Sequence, residues 1–78
     1  PVTYIGFALP RAGRVSLSIF TLQGRLVRRL ADGVYGAGYS EVTWDGHDDQ
    51  GRSVASGVYL YALDAGDVHE TRKLTLNK

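Results

Sequence analysis

The sequence predicts an all-β fold, a small antiparallel sandwich of about six to seven strands. Three observations carry the prediction. Apolar residues recur at alternate positions, the period of a strand with one face in a core. Clusters of Gly, Pro and Asp punctuate these runs at intervals of roughly eight to twelve residues, the spacing of short strands in a sandwich. No segment holds a helical period long enough to stand as a helix.

The first strand alternates Thr3, Ile5, Phe7 and Leu9 with Tyr4, Gly6 and Ala8, and Pro10 ends it because proline cannot donate to a ladder. After a turn at Arg11-Ala12-Gly13, Val15, Leu17 and Ile19 alternate with Arg14, Ser16 and Ser18, which makes this the clearest amphipathic strand, with the serines on its polar face. Within Leu22-Gln23-Gly24-Arg25, Gly24 supplies the positive φ of a tight hairpin turn before the apolar run from Leu26 to Leu30. Leu26, Leu30 and the neighbouring arginines also favour helix, but the eight residues from Gly24 to Ala31 are too few to hold one without strong packing, so strand is the reading taken. The stretch from Asp32 to Gly38 has three glycines in seven residues and reads as loop.

From Tyr39 to Trp44 the chain is extended again, with Val42 and Trp44 on one face and Glu41 and Thr43 on the other. Trp44 is the largest apolar side chain, and its burial between two sheets would dominate the core. Val58 to Leu63 has apolar and aromatic residues on both faces, the pattern of a strand covered on both sides, and is expected to be central. Ala65-Gly66-Asp67 turns the chain, and Val68 to Leu76 returns with Leu74 and Leu76 inward and Lys73 and Thr75 outward. No internal repeat, linker or low-complexity segment interrupts this order.

Composition narrows the functional classes. A length of 78 residues fits one domain. A domain so small buries only about 60% of the surface its unfolded chain exposes, so its stability is modest. The absence of cysteine removes disulfides, thiolate nucleophiles and thiolate metal ligands, and leaves the compartment open. Net charge is +1, with nine basic residues dispersed among eight acidic ones, which argues against a nucleic-acid footprint. Arg25, Arg28 and Arg29 come nearest to a basic patch and read as a solvated face or edge, where charge discourages strand pairing between molecules. No apolar run reaches the ~20 residues of a membrane span, and no signal peptide is visible. Pro1 falls within a strand approach, so the start is expected to be a truncation or cleavage point.

The most informative stretch runs from Trp44 through Asp45-Gly46-His47-Asp48-Asp49-Gln50 to Gly51, with Gly57-Val58-Tyr59 following six residues later. It joins two apolar strands by a long turn of acidic residues and glycines. Asp45, Asp48 and Asp49 form the only acidic cluster and are weak calcium candidates, since oxygen-rich turns hold Ca²⁺ when carboxylates and carbonyls converge. Their spacing lacks the alternate ligands and terminal glutamate of an EF-hand. The stronger reading is that the carboxylates cap their own turn amides, with no metal and no cofactor. His47 and His69 have no second histidine or cysteine at ligand spacing and read as exposed bystanders. Ser40, His47 and Asp49 lack the strained elbow that would present a nucleophile, so the chain is read as no enzyme. Among the five tyrosines, Tyr4, Tyr35, Tyr39, Tyr59 and Tyr61, alternation places Tyr59 and Tyr61 on one face of one strand, an arrangement that could stack on sugar rings. The competing roles are a core or corner hydrogen-bonding anchor for Tyr59 and a cross-strand packing partner for Tyr61.

Several ordered patterns add to this. Pro1, Thr3, Ile5, Phe7, Leu9 and Pro10 fit an opening N-P-x-T-x-I-x-F-x-L-P strand that begins just after its asparagine. Val15, Leu17, Gly24 and Val27 fit a V-x-L-x-V-x-x-x-x-G-x-x-V hairpin. Gly38, Trp44, Asp45, Gly46, Asp48, Gly51, Gly57 and Tyr59 fit a G-x-x-x-x-x-W-D-G-x-D-x-x-G…G-x-Y segment. Along essentially its whole length the chain resembles the small Ig-like β-sandwich family at the C-termini of secreted bacterial proteins. That family includes the Ig-like domain of flagellar hook-capping proteins and the type A C-terminal sorting domains of type IX secretion. The resemblance implies a non-enzymatic C-terminal module, extracytoplasmic at the cell surface or secreted. Its implied partners are parent-protein domains, secretion machinery, or neighbouring subunits joined by strand pairing. In sorting domains the G-x-Y element and the lysine-containing last strand contribute to recognition by the outer-membrane translocon, which maps to Gly57, Tyr59, Lys73 and Leu74. The last strand is expected at a sheet edge as the sorting or docking element. Readings from other classes are a carbohydrate-binding module using Tyr59 and Tyr61 and a self-assembling subunit whose open edge strands pair.

Overall fold

Six antiparallel strands, with no helix among the described residues, run as β1 (Thr3–Leu9), β2 (Gly13–Phe20), β3 (Leu26–Tyr35), β4 (Gly38–Trp44), β5 (Gly57–Ala65) and β6 (Val68–Leu76). The structure is a computed structural model that describes residues 2–78, so the sequence readings at Pro1 lie outside it. β1 and β4 form a two-stranded sheet, and the other strands form a four-stranded sheet in the order β3-β2-β5-β6. This is a small Ig-like β-sandwich.

The alternation seen in the sequence decides what enters the core. Ile5, Phe7 and Leu9 of β1 face Val15, Leu17 and Ile19 of β2, all buried, and Leu63, Leu74, Leu76 and Trp44 complete the cluster. Phe7 meets the ring of Tyr35 edge-on at 5.4 Å, joining the small sheet to the far end of β3. The outer face of β2 departs from the expectation. Ser18 is buried rather than solvated, because in the middle of the sheet it is flanked in register by Arg29 on one side and Ala62 on the other.

The stretch from Asp32 to Gly38 is not the loop its glycines predict. β3 continues through Tyr35, with Asp32, Gly33, Val34 and Tyr35 paired to Ser16, Val15, Arg14 and Gly13. The partner strand supplies the ladder that local composition does not, and only Gly36 and Ala37 remain as the connection to β4. Two register shifts leave Leu30 and Val27 as extra residues in β3, which lets neighbouring Leu30 and Ala31 both pack toward the core. β5 is an interior strand, as expected, but its outer face is only partly covered: Leu60 and Ala62 are half-buried and Val58 is 43% exposed.

The β5–β6 hairpin closes over Gly66 and Asp67, with Gly66 at φ +56°, the geometry of a turn whose first central residue must be glycine. On the small sheet, the ring of Tyr39 lies directly over Gly6, where any Cβ would collide with it. That contact explains a glycine in the middle of β1.

Trp44 closes β4 with no exposed surface. Trp44→Ala is expected to cost about 3–5 kcal/mol, most of the stability of a domain this size. Urea unfolding measures the loss, and the wild-type tryptophan should emit at a blue, apolar-environment maximum that turns red on unfolding. A water-like maximum in the folded chain would contradict the buried position.

Candidate functional site

The segment between β4 and β5, residues 45–56, carries most of the polar chemistry, and its geometry is built from its own backbone. The Trp44 indole Nε1 donates to the His47 carbonyl at 2.9 Å. Asp45 Oδ1 accepts the His47 N–H at 3.1 Å. Asp48 Oδ1 accepts two amides, those of Gln50 at 3.0 Å and Arg52 at 2.9 Å. Val54 donates its N–H to the Gly46 carbonyl at 2.9 Å, folding the loop back on itself. Gly46 sits at φ +79°, a conformation that favours glycine, and a Cβ there would crowd Lys78 Cε at 3.1 Å and Leu76 Cδ2 at 3.3 Å. From the C-terminus, Lys78 reaches back: its backbone N–H donates to Ser56 Oγ at 3.1 Å, and its Nζ donates to Ser53 Oγ and to the Gly46 carbonyl.

Asp49 does something different. Its N–H donates to the Val27 carbonyl at 3.0 Å while its Oδ1 accepts the Arg29 N–H at 3.0 Å. The loop thereby docks onto the edge of β3 at the bulge around Val27.

Arg28 sits at the centre of this cluster. Its Nη1 donates to the carbonyls of Asp48 at 3.3 Å and His47 at 3.4 Å, and lies 3.9 Å from Asp45 Oδ1. Its Nε lies 3.9 Å from Asp49 Oδ1. Two carboxylates and two carbonyls are the kind of oxygen set that gathers around a hard cation. Here a guanidinium from the neighbouring strand stands among them. Among the described residues no group of three or more His, Cys, Asp or Glu side chains is placed to hold a metal ion.

Electrostatics follow the same contacts. Partial desolvation raises the Asp45 carboxyl, but the His47 amide, the His47 imidazole and Arg28 together bring it below its ordinary value. The Arg52 amide, joined by that of Gln50 and by the Arg52 charge, outweighs desolvation and holds Asp48 below its ordinary value too. His47 Nδ1 lies 3.2 Å from Asp45 Oδ1, near enough to sense its charge but outside hydrogen-bonding geometry. The exposed-bystander reading of His47 therefore needs amending: its backbone is structural on both sides. His69, on the β5–β6 hairpin, has Nδ1 2.6 Å from Asp64 Oδ1 across the register and is solvent-exposed.

The remaining candidates separate. Ser40 pairs with Phe7 in the middle of β4, and among the described residues no hydrogen bond joins it to His47 or Asp49. Tyr59 donates its hydroxyl to the Ala55 carbonyl at 2.6 Å and meets the Trp44 ring edge-on at 5.2 Å. Tyr59 and Tyr61 share one face, and both are partly buried where that face packs against the core, with Tyr61 also lining a cleft beside β1. The exposed tyrosines are Tyr4 and Tyr39 on the small sheet. Of the four residues mapped to sorting or docking, Gly57 pairs with Leu76 and Tyr59 with Leu74, and Leu74 is buried in the core. Lys73 points outward, opposite Leu60, on the edge strand β6. Sequence reasoning missed Arg28 and the Asp49 clamp, whose partners lie about twenty residues away and leave no local pattern.

A family model of the FlgD Ig-like domain matches residues 3–67. Two solved structures share the fold. FlgD from P. aeruginosa is 23% identical with a TM-score of 0.76, over 96% of this chain and 58% of that one. FlgD from Xanthomonas campestris, described as a hook-capping protein essential for flagellar assembly, is 28% identical with a TM-score of 0.73, over 95% of this chain and 54% of that one. The chain thus spans little more than half the length of these relatives. No curated protein matches it.

Two outcomes test the loop. With Arg28 standing among the loop oxygens, the melting midpoint should be the same in EDTA and in millimolar Ca²⁺, since a ligand of the folded state alone would raise it. Arg28→Ala should lower the midpoint by about 4–8 °C, the effect of losing ~1 kcal/mol in a domain this small. A calcium-induced rise in the unmodified chain would contradict the assignment. The second outcome concerns pH. Because Asp45 and Asp48 are depressed on folding, their contribution is complete above the unfolded value near 3.8 and drains as pH falls through the lower folded values. Thermal midpoints should hold steady from neutral pH to about pH 5 and then fall. Asp48→Asn should make that acid fall shallower.

Proposed function

Because the chain belongs to the FlgD Ig-like domain family, we propose that it is a non-enzymatic, extracytoplasmic module that docks or assembles through its surface rather than by a chemical site. The observation that carries this reading is the internal use of the polar cluster. Asp45, Asp48, Asp49, Arg28 and the Trp44 and Tyr59 polar atoms are all engaged within the domain. What remains free for a partner is the outer surface and the edges of the sheets.

Within that reading the partners are parent-protein domains or neighbouring subunits. Lys73 is the side chain that the last strand offers them, held outward on β6 beside the buried Leu74 that fixes its register. The same exposed lysine on an edge strand suits recognition by secretion machinery, the sorting use implied by the sequence resemblance. Gly57, Tyr59 and Leu74 support this element from inside.

Lys73→Glu is the test. The variant should keep its circular dichroism and melting midpoint while export or assembly of a carrier protein fused to the domain falls severalfold. Tyr61→Ala serves as the contrasting variant: it should lower stability and leave polysaccharide retention untouched. Unchanged export and assembly with Lys73→Glu, together with polysaccharide retention abolished by Tyr61→Ala, would replace this reading by the carbohydrate one.

A further inference from the structure

β1 pairs with β4 along one edge, and among the described residues no strand pairs with its other edge. That free edge opens on a cleft. The consecutive residues from Ile5 to Leu9 form one wall, as a strand does when it presents its backbone, and Glu70 and Arg72 of β6 stand on the opposite wall. Tyr61 and Leu63 of β5 form the floor.

The other sheet edges carry the devices that discourage pairing with a foreign strand. β3 has two bulges together with Arg28, Arg29 and Asp32. β4 bears Glu41. β6 bears His69, Glu70, Arg72 and Lys73 along its length. β1 has none of these: from Thr3 to Leu9 there is no charge and no proline, and its register with β4 is unbroken. Its outer face adds Val2 and Tyr4, both more than half exposed, with Tyr39 alongside.

We propose that the free edge of β1 is a strand-accepting site, and that its occupant is an extended polypeptide segment from outside residues 1–78 with apolar side chains at alternate positions. The ladder along β1 fits a segment of about seven residues, some 23 Å in length. Its inward side chains descend between β1 and β6 onto Tyr61 and Leu63. Glu70 and Arg72 lie 3.4 Å apart and neutralise one another, so the wall asks for no charge from the incoming strand. A second copy of this chain fits less well. Ile5, Phe7 and Leu9 of a paired second β1 would remain committed to their own core, leaving the cleft empty. The inference deepens the docking reading and rests on it only for its biological use, since it concerns a different edge from the one that carries Lys73.

The probe is a synthetic peptide of alternating threonine and valine, about seven residues long with a lysine at each end. A control peptide has glutamate in place of valine. Backbone amide exchange of the full chain, read residue by residue by NMR, should slow severalfold between Thr3 and Leu9 with the valine peptide and stay unchanged with the control. Ala8→Lys, an outward position on β1, should leave the melting midpoint of the free domain unchanged and weaken peptide binding severalfold. Lys73→Glu should leave peptide binding unchanged, which separates this inference from the docking role of Lys73. Protection along β6 instead of β1, or along neither strand, overturns the proposal. Protection of β1 in the peptide-free protein that rises with protein concentration also overturns it, by naming a second copy as the occupant.

Discussion

The packing of Trp44 against Tyr59 is the contact on which the rest of the sandwich depends. Trp44 closes β4 and Tyr59 lies near the start of β5, so their edge-on contact joins the two sheets at the point where the chain crosses between them. Each ring also carries one polar atom, and each atom is spent on the crossover: the indole N–H on the His47 carbonyl, the phenol on the Ala55 carbonyl. Buried aromatics with such a polar handle need a partner. Here the partners fix both ends of the long loop. With His47 held, its carbonyl and that of Asp48 point at Arg28, and Asp49 reaches the bulge in β3. The C-terminal Lys78 then closes over Gly46, Ser53 and Ser56. In a domain with no disulfide and a small core, this web of backbone-directed bonds takes over part of what covalent staples do elsewhere.

The sheet edges show a second constraint. Two sheets of unequal width leave four edges, and an edge is stable in isolation only if something discourages a foreign strand. Bulges serve this purpose in β3 and charges in β4 and β6. The bulge at Val27 also coincides with the loop contact, since the carbonyl of that extra residue accepts the Asp49 N–H. The feature that protects the edge is therefore the one that seats the loop.

Most of the fold was legible because alternation reports burial directly. Val15, Leu17 and Ile19 in β2, and Leu74 and Leu76 in β6, are inside where the period of two placed them. The second half of β3 was not legible. Gly33 and Gly36 signal loop by composition, and only the ladder offered by β2 keeps Asp32 to Tyr35 extended. Nonlocal pairing overrode local propensity there. The partly covered outer face of β5 and the buried Ser18 have the same origin, since each depends on which strands lie alongside. In the candidate site, the turn-capping roles of Asp45 and Asp48 could be read because the amides that donate to them are two to four residues away. The roles of Arg28 and Asp49 span nineteen to twenty residues and exist only once β3 and the loop meet. Tyr59 and Tyr61 were correctly placed on one face, but alternation does not say which face is the interior one.

The use of an arginine where the oxygen set would suit a metal ion has a physical consequence. A loop closed by a bound cation is stable only where that ion is present above its dissociation constant, so folding becomes a report on the surrounding medium. Arg28 is part of the chain, and its planar fork reaches several acceptors at once. The closure that Arg28 makes therefore draws on no ion from the medium. Acid reaches the loop through Asp45 and Asp48, whose carboxylates give up these contacts when protonated. The guanidinium also comes from β3, so the loop that links β4 to β5 is tied to a third strand. The docking proposed for its edges would gain from this arrangement, since an edge can be read only if the sheet behind it holds one shape.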